Sequence, residues 1–206
     1  MMVITSVERK RKAKGMLSVY IDGKYGFSLR EEDFIALSLY ELQEITEEKL
    51  AYIKETVNFR AAKLAAVKFL SLKVRCEKEV RDKLGSEGFE DCVIEKVIEE
   101  LKSLGYINDK IYAQKFIFDR NKLKPISKKL LKLELQKRGI SDDISDEVLS
   151  DLEIDDFTVA ENLVRRKFGK YDIHDETIVK KIYSFLHHRG YSYSLIDDLV
   201  GKLTHS

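Results

Sequence analysis

Apolar residues recur along this chain in three sets that share one spacing. Gly88, Gly139 and Gly190 each stand 51 residues after the last. Eight positions before each glycine lies Val80, Leu131 or Ile182, and four before lies Leu84, Leu135 or Leu186. Directly after come Phe89, Ile140 and Tyr191. Further on, the pattern places Val93, Ile144 and Leu195 at +5, Val97, Val148 and Leu199 at +9, Ile98, Leu149 and Val200 at +10, and Leu101, Leu152 and Leu203 at +13. The upstream pair forms one stripe of a helix and the downstream four form another. A glycine between two helices suits the left-handed residue that ends the first, where any Cβ is penalised. Ser141 and Ser192 then fall where an N-cap is wanted, with Glu90 and Asp91 serving in the first copy.

A third helix precedes each pair, marked by Phe69-Leu70, Phe116-Ile117 and Leu163-Val164, with Ala66, Ala113 and Ala160 three before. Its period is 47, so the connection to the second helix lengthens by four residues per copy. "LKPIS" and "FGKYDIHDE" supply those longer loops, and Pro125 suits the first turn of the helix that follows. The head of the chain differs. Leu17, Val19 and Ile21 alternate before Asp22-Gly23, and Tyr25, Phe27 and Leu29 alternate after it, which predicts a hairpin. "VITSVERKRK" adds a third strand, and 31 to 57 read as short helices, one starting at Thr46 to Lys49. The predicted fold is mainly α: three tandem three-helix repeats in an elongated curved array behind a small N-terminal β-hairpin or three-stranded element. The expected divisions are 1–58 for the β element and connector, then repeats at 59–108, 109–155 and 156–206.

Composition adds constraints. Charged residues make up 35% of the 206, yet the formal net charge is only +1, so an argument for nucleic acid must rest on local patches. Cys76 and Cys92 have no metal or redox spacing, and no signal peptide or long apolar run is present, which predicts a cytoplasmic protein without a membrane span. The second repeat is electrically split. Arg120, Lys122, Lys124, Lys128, Lys129, Lys132, Lys137 and Arg138 face a single Glu134. Asp142, Asp143, Asp146, Glu147, Asp151, Glu153, Asp155 and Asp156 then follow with no base among them, before Arg165, Arg166, Lys167 and Lys170. These blocks either neutralise each other or present a basic face to phosphates or an acidic partner. Lys129, Lys132 and Gln136 share a side of their helix away from Leu131 and Leu135, which predicts that they are free.

Helix-turn-helix reading of a DNA groove is disfavoured. The helices that would enter it begin with Glu90-Asp91 and Asp142-Asp143, or carry Asp197-Asp198 soon after the start, and phosphate would repel them. Glu8 to Lys14, "ERKRKAK", is either a phosphate contact or the charged edge strand that resists aggregation, with the second preferred. Tyr106, Tyr112, Phe116 and Phe118 read as core. Tyr171 and Tyr193 are candidates to stack on a base or partner, whereas Tyr191 repeats Phe89 and reads as packing. His174, His187 and His188 lack an acid at metal spacing, and no phosphate loop, nucleophile elbow or paired acids occur. No catalytic, cofactor or metal site is expected.

Several local strings belong together: Arg75-Cys76-Glu77-Lys78-Glu79-Val80 with Lys83-Leu84, Gly105-Tyr106-Ile107-Asn108-Asp109, and Tyr112-Ala113 with Phe116. Glu134-Leu135-Gln136-Lys137-Arg138-Gly139-Ile140, and Phe185-Leu186 with Arg189-Gly190-Tyr191-Ser192, continue them through all three repeats. In combination they resemble the RecX family of regulatory proteins. The N-terminal element looks like an extension seen in some members. Cys76 replaces the commoner Ser, which predicts a weaker helix cap, and "LKPIS" lacks a common Gly. The resemblance implies a non-enzymatic modulator of the RecA recombinase in DNA recombination and repair, and the chain is expected to be a monomer. Such proteins bind the RecA filament, limit its extension on single-stranded DNA, and depress ATP hydrolysis and strand exchange. The basic residues Arg120 to Lys132 and Arg165 to Lys170 named above are the expected contacts to RecA or to DNA phosphates. A helical-repeat protein adaptor, and a DNA-binding protein acting without RecA, are the alternatives.

Overall fold

The computed structural model describes residues 2–152 and 155–205, so Glu153 of the acidic block lies outside the described residues. The chain forms two compact units, Met1–Asn108 and Asp109–Ser206. In the first, β1 (Met2–Arg9), β2 (Met16–Ile21), β3 (Lys24–Arg30) and β4 (Glu44–Ile45) make an antiparallel sheet in the order β3-β2-β1-β4. Asp22 and Gly23 both take positive φ (49° and 75°), the conformation of a two-residue hairpin turn that matches strand twist. The fourth strand, drawn from the connector, was not expected; two residues carry too little pattern to announce a strand.

Side-chain alternation gives the sheet two covered faces. Ile4, Val19, Ile21, Phe27 and Leu29 pack with Leu39, Ile45 and Ile53 on one. Met16, with Ala13 from the preceding turn, joins the core of the first repeat on the other. Tyr25 departs from the expected alternation: its ring is half exposed, while Ser28 between Phe27 and Leu29 is buried. The sheet therefore rests on repeat 1 through its second face. Of the "ERKRKAK" run, Glu8 and Arg9 close β1 at an end that pairs with β2 alone, because β4 reaches only Met2 and Val3, and residues 10–14 form the turn into β2.

The short helices α1 (Glu31–Ala36) and α2 (Glu47–Tyr52) follow, and Thr46 caps α2 by accepting the Lys49 amide at 3.2 Å. A π-helical segment, Ile53–Val57, joins α2 without a break to α3 (Asn58–Leu70). Repeat 1 is α3, α4 (Glu77–Glu87) and α5 (Asp91–Ser103). Repeat 2 is α6 (Asp109–Leu123), α7 (Lys128–Lys137) and α8 (Asp142–Ser150), and repeat 3 is α9 (Asp156–Phe168), α10 (Glu176–His187) and α11 (Tyr193–Thr204).

The repeat columns are core columns. Val80, Leu131 and Ile182, and Leu84, Leu135 and Leu186, are all fully buried, as are Ala66, Ala113 and Ala160. Gly88, Gly139 and Gly190 take left-handed φ of 92°, 81° and 83°. The downstream stripe gains one column that the apolar pattern does not announce. Ile94, Ser145 and Ile196 at +6 are buried in every copy, as are Val97, Val148 and Leu199 at +9, whereas at +5 Val93 is buried and Ile144 and Leu195 are only partly so. Ser145 hides this column, because a hydroxyl occupies the middle copy.

Ser141 and Ser192 cap α8 and α11 through their side chains. Glu90 holds the equivalent backbone position but does not cap; its carboxylate is engaged elsewhere. Cys76 heads α4 with a reciprocal capping box, Glu79 accepting the Cys76 amide at 3.3 Å, so the glutamate supplies what the weakly accepting sulfur does less well. Pro125 lies outside the helix, two residues before the cap Ser127. Tyr106 and Phe118 are exposed rather than core, while Tyr112 and Phe116 are partly buried.

The first and third turn glycines meet an upstream element at close range. At Gly88 an added Cβ would lie 2.8 Å from Ala13 Cβ, and the Gly88 carbonyl accepts from Lys10 Nζ at 3.0 Å. At Gly190 it would lie 2.6 Å from both Leu130 Cβ and Ser127 Oγ, and the Arg189 carbonyl accepts the Ser127 amide at 2.9 Å. Glu90 adds a second link in the first unit: its Oε1 accepts from Tyr25 Oη and from the Ser28 amide, each at 2.8 Å.

Candidate nucleic-acid interface

The basic residues that the sequence singles out divide by what they touch. Arg120, at the end of α6, reaches Glu134 of α7 at 2.7 Å, and both side chains are largely covered. Lys132 pairs with Asp146 and stands near Asp142 across the α7–α8 turn, and Gln136 donates to Asp142. The side of α7 expected to be free is thus tied to the acidic helix, apart from Lys129. Asp146 raises the pKa of Lys132, so its positive charge is held by an internal partner. Lys128 donates its amide to Asp156 at 3.1 Å and its ammonium to the Leu152 carbonyl at 3.3 Å. Burial lifts the Asp156 carboxyl above the usual range even though the Lys128 amide opposes this. In repeat 3, Arg165 and Lys202 both bind Glu161 at 2.7 Å, and these bonds, Lys202's first, hold that carboxyl below its ordinary value.

What remains is a smaller group. Lys122, Lys124, Lys129, Arg166 and Lys170 are exposed, and none is in an ion pair among the described residues. Lys167 stands over two rings, 4.1 Å from the centroid of Phe185 and 5.4 Å from that of Phe168. Exposed cations without a carboxylate retain the charge that phosphate needs, whereas paired ones must first break a bond.

Two surfaces beside these lysines carry aromatic groups. One lies between α7 and the turn of repeat 3, where Lys129 and Leu133 approach Tyr193, whose exposed ring stacks on His187 at 4.8 Å. The other is a cleft of about 510 Å³ in repeat 3, lined by Lys167, Tyr171, Lys181, Phe185 and Arg189 among others. Lys181 and Arg189 were missed as site residues. The signal was a helical face, Lys181 and Phe185 at i and i+4 with Arg189 four further on, read only as the repeat's turn. Tyr171 and Tyr193 are exposed as stacking requires, and Tyr191 is buried as packing requires.

Among the described residues no three His, Cys, Asp or Glu side chains gather as a metal site, and no helix is long and apolar enough to cross a membrane. Cys76 is a buried thiol and Cys92 an exposed one.

Comparison with known proteins finds the same three-part organisation. Residues 62–101, 108–149 and 153–200 match the models described as the first, second and third three-helix domains of RecX. Regulatory protein RecX of Clostridium beijerinckii is 31% identical over 97% of this chain and 95% of its own length. That of Clostridioides difficile is 30% identical over 98% and 95%. A crystal structure of RecX from Lactobacillus salivarius aligns with TM-score 0.63 at 28% identity, over 73% of this chain and 99% of that one. A second crystal structure, of regulatory protein RecX, gives TM-score 0.63 over 97% and 98% at 21% identity, a likeness of fold.

Proposed function

The chain belongs to the RecX family, and on that premise we propose that it regulates the RecA filament without being an enzyme itself. It binds the nucleoprotein filament, limits filament extension, and depresses ATP hydrolysis and strand exchange in recombination and repair. The observation that carries this reading is the match of all three helical domains, in order, to relatives named as regulatory proteins. Contact with DNA phosphates runs through the exposed cations Lys122, Lys124, Lys129, Arg166, Lys167 and Lys170. Arg120, Lys128, Lys132 and Arg165 take part mainly as the internal ties of those faces. The partners are the RecA filament and the single strand within it.

The direct test is ATP hydrolysis by the cognate RecA on single-stranded DNA, titrated with this protein. Inhibition well below one protein per RecA is expected. No effect at stoichiometric excess of folded protein would leave a helical-repeat adaptor in its place. Strong DNA affinity with no effect on RecA would leave a DNA-binding protein acting alone. Replacing Lys129 with Ala should lower the salt dependence of DNA binding by about one unit of slope, and Lys132→Ala by much less. Equal losses from the two would refute this assignment of contacts.

A further inference from the structure

The cleft in repeat 3 is chemically one-sided. No carboxylate lines it, and none of Lys167, Lys181 and Arg189 is in an ion pair among the described residues; Asp175, whose carboxyl is held below its ordinary value first by Thr177 and in smaller part by Lys181, lies outside the lining. Two of these cations share one ring: the Arg189 guanidinium lies 3.8 Å from the Phe185 centroid and Lys167 Nζ lies 4.1 Å from it. A ring beneath a cation fixes its position without neutralising it. The Arg189 Nε is buried with no hydrogen-bond partner. Burial disfavours its charge and repulsion from Arg120 and Arg166 adds to the cost, with Tyr191 opposing and the Phe185 carbonyl accepting one guanidinium N–H at 3.3 Å, so an anion arriving at the cleft would relieve what is left. Beside this stands Tyr171, 60% exposed, its ring 6.5 Å from that of Phe168 and clear of the cations on Phe185.

We propose that this cleft holds one nucleotide of a single strand, the base against Tyr171 and the phosphates at Lys181 and Arg189. An inorganic anion would use the cations and leave the tyrosine idle, and an acidic peptide would do much the same. A duplex conceals the base faces that a single strand exposes. The proposal deepens the nucleic-acid part of the reading above and assigns it to groups other than the lysines of α7.

The test uses the full chain without RecA and a short thymidine oligonucleotide carrying one 2-aminopurine. Binding is read by anisotropy, and stacking by quenching of the analogue. Tyr171→Ala should weaken binding about 5- to 150-fold, the range for losing one stacked base, and remove the quenching. An abasic strand of the same length should bind the parent protein more weakly and be indifferent to Tyr171→Ala. Lys181→Ala should reduce the salt slope by about one. Both side chains are exposed, so thermal unfolding followed by circular dichroism should be unchanged in both variants. Unaltered affinity in Tyr171→Ala, no oligonucleotide binding by the parent, or equally strong binding of polyglutamate at the same cleft would each overturn the proposal. Normal inhibition of RecA alongside any of these would leave the family reading intact. Tyr171-dependent binding with no effect on RecA would do the reverse.

Discussion

Gly88→Ala separates two reasons for a glycine. The first is conformational: φ is +92°, where an L side chain costs about 1–2 kcal/mol. The second is the approach of the sheet, since the new Cβ would lie 2.8 Å from Ala13 Cβ and 3.1 Å from Met16 Cγ. Ala13 is a buried methyl with no rotamer to yield, so the backbone must shift, at the cost of about 1–3 kcal/mol typical of overpacking. The expected loss is therefore about 2–5 kcal/mol. Gly105 supplies the control within the same unit: its φ is +75° and nothing lies within 4 Å of an added Cβ. Gly105→Ala should cost only the conformational part, about 1–2 kcal/mol. Urea denaturation followed by circular dichroism measures both, with Ala13→Gly as the third arm. If steric approach is the cause, Ala13→Gly should recover part of the loss in the Gly88→Ala background while destabilising the parent, a coupling of about 1 kcal/mol or more. Equal losses at Gly88 and Gly105, or strict additivity with Ala13→Gly, would refute the reasoning.

Three further outcomes are expected. Glu90→Ala should destabilise the first unit by about 2–3 kcal/mol, because it strands the buried Ser28 amide that now donates to a carboxylate; urea titration showing no loss would deny the bond. Tyr25 has its pKa pushed up from 10.0 to about 12, chiefly by burial, with Glu90 adding to this and the Ser28 hydrogen bond opposing it. The folded state thus favours the neutral phenol, and the associated stability is complete below pH 10 and lost as pH rises through about 12. Tyr25→Phe should flatten that alkaline decline, and an unchanged profile would show the phenol is not its source. Ser145→Ala should stabilise the second unit by about 1 kcal/mol, since its buried hydroxyl has no partner and alanine is the better helix former; a loss of the same size in urea denaturation would contradict the burial argument.

Local spacing made the helices legible. Leu84, Leu135 and Leu186 stand four residues before a glycine, and their periodicity predicted both the stripe and the left-handed turn that the structure shows. Ser141 and Ser192 were readable as caps because capping is settled within three residues. Glu90 sits at the same place and was misread, since its partners, Tyr25 and Ser28, are more than 60 residues upstream. Ser145 obscured a core column because hydrophobic pattern cannot report a polar residue buried by its neighbours. The candidate site was half legible. Tyr171 and Lys167 could be named from type and context, but the pairing of Lys132 with Asp146 and the gathering of Lys181 with Arg189 are products of packing.

The contacts at Gly88 and Gly190 give the chain a polarity. In each the tight turn is the inserted part and the receiver lies upstream: a loop of the β sheet in one, the start of a helix in the other. Receivers of unlike secondary structure therefore serve the same purpose, so the demand is for a flat, close-fitting seat rather than for another repeat. Repeat proteins commonly end in atypical terminal modules that shield what the last copy would expose. The sheet shields repeat 1 in that way, so a segment that resembles an appendage in the sequence completes the core of the unit it belongs to.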